Sequence, residues 1–69
     1  MNEWYAFDKL CEAEHGMGQI RTRFSIAERE LKGTEYESEI ISLNDNLEAI
    51  ECKLQELTGK LYRNLREGR

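Results

Sequence analysis

The segment Leu31-Lys32-Gly33-Thr34-Glu35-Tyr36-Glu37, near the middle of a 69-residue chain, closes one helix and opens another. Gly33 suits the left-handed backbone position that terminates a helix. Thr34 suits the N-cap of the next one. Glu37, three residues on, completes a capping box, in which each side chain satisfies a backbone N–H at the other's end. Leu31 and Tyr36 flank the reversal. The chain contains no proline, so nothing else in it interrupts a helix as strongly. The sequence therefore predicts a first helix over about residues 3–32, opened by Asn2, a turn at 33–34, and a second helix over about 35–66.

Both predicted helices carry a heptad seam. In the second, Tyr36, Ile40, Leu43, Leu47, Ile50, Leu54, Leu57 and Leu61 recur in alternating steps of four and three. In the first, Ala6, Leu10, Ala13, Met17, Ile20, Phe24, Ala27 and Leu31 do the same. A mean repeat near ~3.5 residues keeps one stripe facing a partner helix. If the chain reverses at Gly33-Thr34, each seam residue of one helix meets a seam residue of the other. The layers run from Leu31/Tyr36 through Phe24/Leu43 and Ile20/Leu47 to Ala6/Leu61. Three alanines then face leucine or isoleucine, which interdigitation favours. The expected fold is all-α, an antiparallel two-helix hairpin resembling a coiled coil, in one domain spanning 1–69.

Charge supports that orientation. Glu3, Asp8, Glu12 and Glu14 fall beside Lys53, Lys60, Arg63 and Arg66, while Arg21, Arg23, Arg29 and Lys32 fall beside Glu35, Glu37, Glu39, Asp45 and Glu48. Glu28 and Glu30 interrupt the sorting. Exposed pairs contribute only about 0.2–1 kcal/mol each, so they select register more than they add stability. The second disagreement is Gly16-Met17-Gly18, mid-helix, where each glycine costs about 1 kcal/mol relative to alanine. The first helix either tolerates this weak spot or kinks or breaks there, as a hinge or a place of close approach for a partner.

A chain this short sits at the edge of what one core can stabilise. Self-association into a dimeric four-helix bundle is therefore expected. Apolar residues outside the seams mark where contacts would form. Trp4, Phe7 and Cys11 make a second stripe on the first helix, continued by Gly18, and Tyr62 and Leu65 make one on the second. Met1 and Tyr5 could join them, and Ile26 and Ile41 form a smaller pair near the turn. The terminal group widens the hairpin's own core, joins two copies, or receives a different protein.

Chemistry is sparse. His15 is the single histidine and lies opposite the seam. Cys11 and Cys52 are staggered along the hairpin, so free thiols are expected. No metal-ligand spacing, phosphate loop or nucleophile with its base is present, so no catalytic residue, metal or cofactor is expected and the chain is read as a non-enzyme. Fourteen acidic residues against ten basic give a net charge of −4, unfavourable for general nucleic-acid or membrane-surface binding. No apolar run nears the ~20 residues of a membrane span, and an acidic start argues against a signal peptide, so a cytoplasmic location is expected.

The leading functional expectation is a homodimeric protein–protein interaction module that regulates, inhibits or adapts a larger host protein. Such economy suits products of phages or mobile elements. One alternative is a four-helix nucleic-acid-binding regulator that uses Arg21, Arg23, Arg29 and Lys32. Another is a structural subunit or spacer of a larger assembly.

Overall fold

The computed structural model describes residues 2–68. Two helices, α1 (Glu3–Glu30) and α2 (Glu37–Gly68), pack antiparallel into a rod 53 × 16 × 15 Å, with no strand among the described residues. Asn2 caps α1. Its backbone is extended, and its side-chain carbonyl accepts the Tyr5 N–H at 3.0 Å. No helix among the described residues is long and apolar enough to cross a membrane.

The connection is longer than a two-residue turn. α1 stops at Glu30 and α2 begins at Glu37, leaving residues 31–36 between them. Gly33 holds φ +85°, the left-handed conformation expected of it. Thr34 donates its hydroxyl to the Leu31 carbonyl at 2.6 Å and accepts the Tyr36 N–H at 3.2 Å. The Glu37 carboxylate reaches past Thr34 and accepts the Gly33 N–H at 3.2 Å. The two capping side chains are thus both engaged, but they brace a turn rather than close a box. Thr34 spends itself on that turn, and the helix starts three residues later.

The contacts between the helices depart from the tight-turn register. A reversal at Gly33-Thr34 would set Arg21 level with Asn46 and Phe7 level with Lys60. Arg21 instead pairs with Glu51, and Phe7 stacks on Tyr62. Asn44 donates to Glu28 and to the Phe24 carbonyl. Each partner on α2 lies beyond the level position of the tight-turn register, from one residue for Phe24 and Asn44 to five for Arg21 and Glu51.

The helices have also rolled. The line Ile40, Leu47, Leu54 and Leu61 is buried or half-buried, as are Leu10, Met17 and Phe24 on α1 and Leu31 at its C-cap. These residues form the expected seam. Its second rank is different. On α2 the covered neighbours are Asn44, Glu51, Thr58 and Leu65, and on α1 they are Phe7, Glu14, Arg21 and Glu28. Leu43, Ile50, Leu57 and Tyr36, read from sequence as seam residues, are 49–53% exposed, and Ile20 is 41% exposed. In a heptad, residues three before and four after a seam position lie roughly 50° to one side of it, and residues four before and three after lie as far to the other. Periodicity cannot say which side one neighbouring helix covers. Among the described residues, Ile40 and Thr58, each at 8% exposure, are the buried ones.

α1 runs unbroken through Gly16-Met17-Gly18, so the expected alternative of a break there does not hold. A Cβ built at Gly18 meets nothing within 4 Å. Gly18→Ala should stabilise the hairpin by about 0.5–1 kcal/mol, because alanine loses less backbone entropy in a helix. Thermal unfolding followed by circular dichroism should show Tm rising by about 3–6 °C. A fall in Tm would mean that the position is not an open helical site.

Candidate functional site

At the end of the rod that holds the chain termini, three aromatic rings come together. The first turn of α1 projects Trp4 and, one turn on, Phe7. The last turns of α2 bring Tyr62 alongside. Trp4 meets Phe7 edge to face, with centroids 5.8 Å apart and planes at 87°. Phe7 lies nearly parallel to Tyr62 at 5.5 Å. Such ring pairs add about 0.5–1.5 kcal/mol beyond the area they bury. Phe7 is half-buried and ties the helix ends together, whereas Trp4 and Tyr62 remain 51% and 41% exposed. The cluster therefore serves two ends, with an inner ring packed between the helices and two outer rings facing solvent.

A cation rims it. The Arg66 guanidinium sits 5.6 Å from the Tyr62 ring centre and donates to the Tyr62 hydroxyl at 3.4 Å. Lys9, outside the three-ring cluster, lies 5.3 Å over the Tyr5 ring and bridges to Glu12 at 3.5 Å. Of the other residues singled out from sequence, Leu65 is half-buried, and Cys11 and Gly18 are exposed. Gly18 lies over three helical turns from Phe7, so it does not belong to this cluster. Met1 lies outside the described residues.

A second group was not foreseen as a unit. Along the covered flank, Arg21 of α1 forms an ion pair with Glu51 of α2, both half-buried. One step towards the turn, Asn44 Nδ2 donates to Glu28 Oε1 at 2.5 Å and to the Phe24 carbonyl at 3.3 Å, while Asn44 Oδ1 is buried without a hydrogen-bond partner. Further towards the termini, Thr58 turns its hydroxyl back to the Leu54 carbonyl at 2.8 Å, leaving its methyl for the interface. The signal was present as a polar heptad, Asn44, Glu51 and Thr58, running beside the leucines. Replacing Asn44 with leucine should destabilise the hairpin by about 1 kcal/mol, since the half-buried Glu28 carboxylate and the Phe24 carbonyl both lose their donor. Urea unfolding midpoints compare the two chains, and a higher midpoint would show that the unpaired Asn44 oxygen costs more than the amide contributes.

The basic residues do not converge. Arg21 is committed to Glu51. Arg29 and Lys32 instead border a shallow, open depression by the turn, shared with Ser25, Glu28 and Glu37. Both cysteines are free and exposed, and His15 is exposed. Among the described residues no group of His, Cys, Asp and Glu is arranged to hold a metal ion.

The fold and this surface define a class, the short helical hairpin with a mixed polar and apolar interface. The chain matches no protein-family model, and comparison with curated proteins and with solved structures yields no match.

Proposed function

We propose that this chain is a small, non-enzymatic protein-interaction module of the cytoplasm, a regulator, inhibitor or adaptor of a larger protein, and that it works as a homodimeric four-helix bundle. The observation that carries the reading is the terminal aromatic cluster, in which a half-exposed tryptophan stands on a packed Phe7-Tyr62 pair. Tryptophan and tyrosine dominate binding energy at protein contacts, because they bury large rigid surfaces at low entropic cost. Phe7 stiffens the platform, so less freedom is lost when a partner docks. Arg66 at the cluster's edge favours a partner whose apolar groove has an acidic border. A helix pair laid into such a groove is a recurrent recognition mode.

The test is affinity capture from the native host with the full chain and with Trp4→Ala. The parent chain should retain a partner that the variant binds roughly tenfold more weakly, with unchanged helical circular dichroism. Equal retention by both chains would remove the cluster from the binding site.

A further inference from the structure

We infer that two copies of this chain associate through the flank carrying Ile20, Leu43, Ile50 and Leu57, packed end over end so that the turn of each copy lies over the helix termini of the other. This rests on the reading that the protein is a homodimer, and adds which surface joins the copies and in which direction. The aromatic cluster and the polar flank play no part in it.

The hairpin alone leaves too little covered. Ile40 is its one buried apolar residue among those described, and no large side chain is fully buried. Meanwhile Leu43, Ile50 and Leu57 stand half exposed at successive heptad positions, directly beside the leucine seam. On α1 the matching positions are Ala13 and Ile20, both exposed, and Ala27, already half-buried. Both antiparallel helices turn this flank to the same side, because the ion pair and the Asn44 contacts occupy the other. The result is one continuous apolar face bordering the existing core. A second hairpin laid on it would complete a four-helix core.

The charges at the outer edge of that face select the direction. One turn beyond the apolar rank, this outer line carries Glu30 and Glu39 at the turn end, Arg23 and Lys53 midway, and Lys9 and Lys60 at the terminal end. A two-fold axis passing at Ile20 and Ile50 places Glu39 of one copy beside Lys60 of the other, and Glu30 beside Lys9. The same axis lays Leu43 on Leu57 and Ala13 on Ala27. One axis serves both helices, since the Arg21–Glu51 pair and the Phe7–Tyr62 stack together bring Ile20 and Ile50 to nearly the same height along the rod. Stacking turn on turn would instead set Glu30 beside Glu39 and Lys9 beside Lys60, like charge on like charge at both ends. Like-charge juxtaposition at an interface selects against that arrangement. End-over-end packing also leaves the two aromatic clusters at opposite ends of the particle, facing away from each other. The dimer would thus be a two-headed connector.

Sedimentation equilibrium of the full chain should give twice the 8.1 kDa chain mass. In a chain with Cys11→Ser and Cys52→Ser, the pair Leu43→Cys and Leu57→Cys should form a covalent dimer on mild oxidation. Leu43→Cys alone should not, because its counterpart would lie about 20 Å away along the helix. Glu39→Lys or Lys60→Glu should each weaken the dimer roughly tenfold, and the double reversal should restore it. A monomeric mass at all concentrations overturns both the homodimer and this arrangement. A dimeric mass without the double-cysteine crosslink, or without rescue by the charge reversal, overturns the arrangement and leaves the homodimer standing. The charge variants lie on the surface, so they remain decisive even if the cysteine pair fails to fold.

Discussion

Ile40→Ala should cost the hairpin about 2–4 kcal/mol, the range for truncating a buried isoleucine and leaving a cavity. Ile40 is the one apolar residue of the described chain below a tenth exposure. It sits in the first turn of α2, where its N–H bonds to the Tyr36 carbonyl at 3.1 Å. It therefore anchors the start of that helix at the seam. Domains of this size have little stability to lose. The expected outcome is a chain largely unfolded at room temperature, read as loss of the helical circular dichroism signal. A variant with a cooperative transition within ~1 kcal/mol of the parent would show that the seam near the turn contributes little.

The second large effect concerns Arg21 and Glu51. Each side chain is about a quarter to a third exposed, at 30% and 24%, so the pair falls between surface bridges worth under ~1 kcal/mol and buried ones that cost ~3–5 kcal/mol to break. Arg21→Ala or Glu51→Ala alone should destabilise by about 2 kcal/mol, chiefly by leaving the other charge half-buried and unpaired. The double replacement should cost less than the sum of the two singles, and a double-mutant cycle in urea measures the difference. Additive losses would mean that the pair is formed but not coupled. Raising salt should weaken the parent only slightly, since partial burial shields the pair from screening ions.

Much of the architecture was legible because it depends on local chemistry. Gly33 marks the reversal, since a positive φ is open to glycine and costly to most residues. Asn2 marks a helix start through its own side chain. The seam of Ile40, Leu47, Leu54 and Leu61 follows from a period that any heptad helix must obey. The aromatic end was legible too, because Trp4, Phe7 and Tyr62 stand off that seam in the sequence and converge once the helices run antiparallel.

The register and the roll were not legible. Six residues connect the helices where a two-residue turn was expected, because Thr34 and Glu37 each bind one residue away from their capping-box partners. The roll is a choice between two flanks of one seam. One flank is polar and pairs Arg21 with Glu51 and Glu28 with Asn44, and the other is apolar and carries Ile50 and Leu43. Counting hydrophobic residues favours turning the apolar flank inward, but ion pairs and hydrogen bonds that span the helices favour the polar one.

Sequence by itself determined that this chain forms two helices, where they reverse and which line of leucines they share, because caps, positive-φ glycine and helical period act within a few residues. Tertiary structure alone decided which polar partners meet across the helices and which apolar rank is left outside. Those contacts join residues up to 30 positions apart, and their geometry is set only when both helices are already in place.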